Sequence, residues 1–142
     1  MFKKILVPID LMHDSSWRKA LPLAIREARI DGAKITIMTV IPELDPAFST
    51  AALPKDFNRN RRKEAERRLE ELFEAQVPGD VKAETYVGEG NIYRSILKRA
   101  DKIDADLIVM ASHRPALRDY LLGANAARVV RHASCTVMVV RE

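Results

Sequence analysis

Apolar residues in this chain alternate between two rhythms: short continuous runs closed by proline, glycine or acidic residues, and longer stretches with apolar positions every third or fourth residue. The first run, Lys3-Lys4-Ile5-Leu6-Val7-Pro8-Ile9-Asp10, is apolar without alternation, which predicts a central strand covered on both faces. From the capping signature Asp14-Ser15-Ser16, residues Trp17, Ala20, Leu21, Ala24, Ile25 and Ala28 recur at helical spacing until Asp31-Gly32. Asp14 and Ser15 are the expected caps, and Pro22 inside that pattern is expected to kink the helix or loosen its first turns. Ile35 to Ile41 reads as a second strand closed by Pro42, and the long stretch from Pro42 to Pro54 as a surface loop or lid.

Asp56 to Gln76 predicts a long helix with Ala65, Leu69, Leu72, Phe73 and Gln76 on one narrow stripe, ended by Pro78-Gly79-Asp80. Val81 to Val87 alternates in part and reads as a third strand near an edge. Gly88-Glu89-Gly90-Asn91 then reads as a turn and cap before a short helix marked by Ile92, Ile96, Leu97 and Ala100. Leu107-Ile108-Val109-Met110 is a fourth, fully covered strand, broken by Ser112 to Pro115. Gly123 opens a last helix, and Cys135 to Val140 is a fifth strand.

Strict β/α alternation implies a parallel sheet with right-handed crossovers and helices on both faces. Such sheets bind ligands beyond the carboxyl ends of their strands, where the winding direction reverses. If the first and fourth strands flank that reversal, Asp10 and Ser112-His113-Arg114 converge on one crevice. The free N–H groups of the helix that starts at Gly123 then point at an anion held there.

With 142 residues, 47% of them hydrophobic, the chain supports one compact domain and not two. No apolar run reaches the ~20 residues of a membrane span, and the stretch after Lys3-Lys4 is too short for a signal peptide. The lone Cys135 leaves no internal disulfide; a cytoplasmic location is expected. A net charge of +4 raises the question of nucleic acid. The densest basic cluster, Arg59 to Arg68, is however interleaved with acids, and Glu64–Arg68, Arg62–Glu66 and Arg67–Glu71 stand at i,i+4 spacing. That cluster reads as a solvated helix face, and no nucleic-acid or membrane partner is expected.

Several of these segments resemble the universal stress protein family over the whole chain. They are Ile5-Leu6-Val7-Pro8-Ile9-Asp10, the Gly88-Glu89-Gly90 turn, Ala105-Asp106-Leu107-Ile108-Val109-Met110, and Leu121-Leu122-Gly123 through Val137. The resemblance implies a single universal stress protein domain over 1–142 with an open five-stranded sheet in the order 3-2-1-4-5, a Rossmann-like α/β fold. It also implies an adenine nucleotide, ATP with or without Mg2+, in the crevice. Carried over residue by residue, Pro8, Ile9 and Asp10 lie beside adenine and ribose, and Val40 beneath the base. Met110, Ala111, Ser112, His113 and Arg114 form the loop, and Gly123, Ala124 and Asn125 meet the phosphates. Nucleotide-binding members carry glycine, two residues, glycine, nine residues, then glycine and a hydroxyl residue. Here Ala111 and Arg114 replace the two glycines, with one residue fewer before Gly123, and Ala124 replaces the hydroxyl residue. Ser112-His113-Arg114-Pro115 is similar to the F/G-type branch, in which nucleotide binding accompanies the altered spacing.

Each of these residues also has a plainer structural reading. Asp10 caps the first helix or balances Lys3-Lys4 as readily as it contacts a ligand, and His113 suits an exposed loop as well as a phosphate. Arg114 beside a helix N-terminus suits phosphate, and Gly123 suits close packing. His132 reads as a helix C-terminal cation, Cys135 as a small buried residue and Trp17 as a helix-face anchor. No P-loop, nucleophile–base set or metal cluster appears, so no catalytic or metal-ligating residue is assigned and at most slow ATP hydrolysis is expected. The expected protein is a cytoplasmic homodimer, paired through the last strand, that senses nucleotide in a stress response. Its rivals are a dimeric interaction protein that has lost the nucleotide and an adenylate-transferring enzyme, for which no catalytic signature is found.

Overall fold

A computed structural model describes residues 1–44, 53–112 and 123–141. Five strands, β1 (Lys4–Pro8), β2 (Lys34–Pro42), β3 (Ala83–Gly90), β4 (Leu107–Ala111) and β5 (Thr136–Val140), form one parallel sheet in the order β3-β2-β1-β4-β5. Four helices, α1 (Ala20–Asp31), α2 (Phe57–Gln76), α3 (Ile92–Lys102) and α4 (Ala124–His132), cover its faces. Alternating side chains of the buried strands split the core in two. Ile5, Val7, Ile35, Ile37, Leu107 and Val109 pack under α1 and α2, whereas Leu6, Met38, Ile108 and Met110 pack under α3 and α4. The continuous apolar runs of β1 and β4 are thus explained by cover on both sides.

Three local expectations shift. The segment from Asp14 makes only a 3-10 turn (Asp14–Ser16), and α1 begins at Ala20, with Lys19 as its N-cap and no side-chain cap. Asp14 and Ser15 therefore do not cap α1. This start places Pro22 in the first turn, where a missing N–H removes no intrahelical bond, so no kink is needed. The Gly88-Glu89-Gly90 segment is the end of β3 and not a turn, since its pairing with β2 continues to Pro42↔Gly90. A Cβ on Gly88 would lie 2.3 Å from Ser95 Oγ of α3, so glycine there serves close packing, and the chain turns only at Gly90, with φ +103. Asn91 then caps α3 as expected, accepting a hydrogen bond from Arg94 N–H at 3.2 Å. Along α2, only Leu69 of the expected stripe is fully buried, and Gln76 is exposed.

Candidate functional site

The central strands part at their carboxyl ends. Pairing of β1 with β4 runs through Ile5↔Leu107 and Leu6↔Ile108, while β1 stays paired with β2 to Pro8↔Met38 and β4 with β5 to Ala111↔Val140. Pro8 supplies a reason. Backbone N–H groups alternate sides along a strand, and that of Ile9 donates to Met38 O of β2 at 2.8 Å, so the Pro8 nitrogen faces β4 with no hydrogen to give. Beyond Leu6 and Ile108 each strand follows its outer neighbour, which opens a crevice at the switch point of the sheet.

The loop after β1 is pinned on one side of that crevice. Thr39 Oγ1 donates to Ile9 O at 3.0 Å from a buried position. Asp10 N–H donates to Ser16 Oγ at 2.8 Å, and the Ser16 hydroxyl lies within reach of Asp10 O and His13 O. The exposed Asp10 carboxylate turns back on its own loop, accepting from Met12 N–H at 2.9 Å and standing 3.0 Å from His13 Nδ1. It neither caps α1 nor balances Lys3-Lys4, whose backbone N–H groups are instead bound by Asp106.

On the other side, Ser112 N–H donates to Val140 O at 2.9 Å, and Ser112 O accepts from Gly123 N–H at 2.7 Å. One residue thereby ties the end of β4 to the start of α4. Gly123 is the N-cap, without a side-chain cap, and its carbonyl accepts the first helical bond from Ala127 N–H at 2.9 Å. The N–H groups of Ala124 and Asn125 in this first turn have no intrahelical acceptor and carry the positive end of the helix dipole. Pro8, Ile9, Asp10, Met110, Ala111, Ser112, Gly123, Ala124 and Asn125 are thus gathered at the carboxyl end of the sheet. Val40 sits one strand further out, half-buried opposite Gly88 and packed on the α3–α4 side. His113 and Arg114 lie outside the described residues.

Sequence reasoning missed Thr39 and Ser16, which hold the β1 loop. A threonine inside the apolar run of β2 was the available signal for the first; the second depends on a tertiary approach. Burial pushes the Cys135 thiol above its usual range, so it stays protonated, and His132 stacks on Tyr93 with ring centroids 6.2 Å apart. Among the described residues no group of histidine, cysteine or carboxylates could hold a metal ion, and no helix is long and apolar enough to cross a membrane.

Residues 1–141 match the family model described as the Universal stress protein family. Universal stress protein G of Salmonella typhimurium is 32% identical over 144 residues, covering 99% of this chain and 100% of that protein. The structure of universal stress protein UspA from Lactobacillus plantarum superposes with TM-score 0.73 at 26% identity, covering 98% of this chain and 97% of that one. A universal stress protein solved in complex with cAMP gives TM-score 0.63 at 26% identity over 99% of this chain and 97% of that one.

Proposed function

The chain belongs to the universal stress protein family, and from that premise we propose that it is a cytoplasmic, single-domain module that binds an adenine nucleotide, ATP with or without Mg2+, in the crevice between β1 and β4. The observation that carries the reading is the hydrogen bond from Gly123 N–H to Ser112 O, which holds the uncapped N-terminus of α4 against the end of β4, beside the strand from which β4 parts. Backbone donors and a helix dipole suit a polyphosphate whatever the side chains are, so Ala124 weakens the site without abolishing it. Half-buried apolar walls such as Val40 and Ala111 suit a base. That a relative of the same fold was solved with cAMP supports an adenine ligand. Binding, with at most slow hydrolysis, makes the module a nucleotide sensor in a stress response.

The module acts as a homodimer through β5. Thr136-Val137-Met138-Val139-Val140 is an edge strand without a charge, whereas the opposite edge, β3, carries Glu84 and Glu89, the charges that keep an edge unpaired. Val139→Lys should weaken the dimer in sedimentation, and an unchanged association constant would place the interface elsewhere.

A second reading, a dimeric interaction protein with no nucleotide, draws on one observation: the Asp10 carboxylate is already engaged by Met12 and His13 of its own loop. Calorimetric titration separates the two. A nucleotide present at a hundredfold excess over its Kd should stabilise the fold by ~2.7 kcal/mol, and Ala124→Ser should tighten ATP by ~1 kcal/mol, the net worth of one hydrogen bond. No heat and no thermal shift at millimolar ATP would leave the second reading standing.

A further inference from the structure

The excess positive charge of the chain has an address. Helix α3 carries Arg94, Lys98, Arg99 and Lys102 against Asp101 alone, and α4 carries Arg128 and Arg131 with no acid. Arg94, Lys98, Lys102, Arg128 and Arg131 are exposed. None of them pairs with a carboxylate among the described residues. Of the nearby carboxylates, Asp106 binds the backbone of Lys3 and Lys4, Asp101 accepts from Ser134 Oγ at 3.4 Å, and Glu43 acts on Arg94 through its charge without forming an ion pair.

The two helices join over one ring. Arg94 of α3 and Arg128 of α4 place their guanidinium carbons 5.7 Å and 5.1 Å from the centroid of Tyr93, and His132 stacks beside it. Two cations that share one ring keep most of their charge, since an aromatic face offsets only part of it. A polyanion would offset the rest. Along α3 the exposed cations Arg94, Lys98 and Lys102 recur every fourth residue, a rise of ~6 Å per step, comparable to the phosphate-to-phosphate step of an extended polynucleotide strand. Guanidinium planes and a tyrosine beside such a row are what base stacking requires. A lipid surface would also want a cluster of protruding apolar groups, but Ile96, Ala100, Ala126 and Val129 are turned into the sheet, and the large apolar residues these helices expose are Ile92, at the first turn of α3, and Val130.

We propose that the α3–α4 face binds single-stranded nucleic acid, with phosphates on Arg94, Lys98, Lys102, Arg128 and Arg131 and bases stacked at the Tyr93 cluster. This surface is separate from the Arg59–Arg68 stretch of α2, where Arg59, Arg62 and Arg67 are paired with acids, and does not depend on the crevice. Fluorescence anisotropy with labelled oligouridylate and oligothymidylate tests it, alongside a duplex of equal length, phosphatidylserine vesicles and a polyglutamate peptide. The variant K98E/K102E/R131E should weaken single-strand binding at least ~10-fold at low salt and flatten the slope of log K against log salt by ~2. The same charge change on the other face, K19E/R26E/K63E, should leave affinity within about twofold if contact is local rather than a net-charge effect. Tyr93→Leu should weaken binding with the salt slope unchanged, which separates stacking from charge. Circular dichroism confirms that each variant is folded. The proposal is overturned if the two triple variants weaken binding equally, if duplex, vesicles or polyglutamate bind more tightly than the single strand, or if neither oligonucleotide binds at low salt.

Discussion

The two faces of the sheet handle charge in opposite ways. Under α1 and α2, four of the eight cations pair with carboxylates among the described residues: Arg29 makes a two-pronged contact to Asp80 at 2.9 Å for each bond, Arg59 meets Asp56, Arg62 reaches Glu66 and Glu89, and Arg67 joins Glu64 and Glu71. On α1 two cations meet two acids, and on α2 six meet five. Over α3 and α4 six cations meet one acid, and three of them rest on aromatic rings, Arg94 and Arg128 on Tyr93 and Arg99 on Tyr86 at 3.8 Å. The formal charge of +4 is therefore not spread over the molecule. Charge density along the sequence pointed to α2, the most charged stretch, whereas the unbalanced surface is built from two helices with fewer charges.

Packing differs as well. Helix α2 has one fully buried residue, Leu69, flanked by half-buried Ala65, Leu72 and Phe73, while α3 buries Ile96 and Ala100 and α4 buries Ala126 and Val129. The largest expected effect follows from that one fully buried residue. Leu69→Ala should cost ~2–5 kcal/mol in chemical denaturation, the range for emptying a buried leucine site. Amide exchange should rise along α2 and stay slow in α1, which has five buried residues. Equal acceleration in both would mean that α2 is held no less firmly than α1.

Next comes the close approach of β3 to α3. Gly88→Ala should destabilise by ~1–3 kcal/mol through overpacking against Ser95. The double variant with Ser95→Ala should recover part of that loss; no recovery would locate the strain in the β3 backbone instead.

The smallest effect is the pH response of the paired face. Hydrogen bonds from Arg29 hold the Asp80 carboxyl below its ordinary value of 3.8, and bonding to Arg67 holds Glu64 below 4.5. A carboxyl with a depressed folded pKa stabilises fully above its unfolded value and loses that contribution as pH falls through the folded one. Stability should thus decline below pH 4.5, and Asp80→Asn should flatten the lower part of the decline, below 3.8, when melting temperature is followed against pH. High salt should shrink the difference, since both partners are exposed. A wild-type profile unchanged by Asp80→Asn would mean that this pair adds nothing to the stability of its face.

What the sequence determined was periodic. Continuous apolar runs, helical spacing, and punctuation by Pro42, Asn91 and Gly123 set the number, kind and order of the elements, and strict alternation set the parallel sheet, because each of those signals is carried by neighbouring residues. Partner choice was not local. Arg62–Glu66 and Arg67–Glu71 formed as their spacing suggested, yet Glu64 turned to Arg67 rather than Arg68, whose guanidinium instead approaches Leu11 O at 3.4 Å. Gly88 read as a turn because its constraint, Ser95 of the next helix, becomes visible only once α3 lies on β3. The crevice was legible as a place, from strand ends and a helix start, but its walls depended on where β1 stops pairing with β4. The basic face was not legible at all. Arg94 and Arg128 stand thirty-four positions apart in the chain and meet over Tyr93 only because two crossovers lay α3 and α4 side by side on the same face of the sheet.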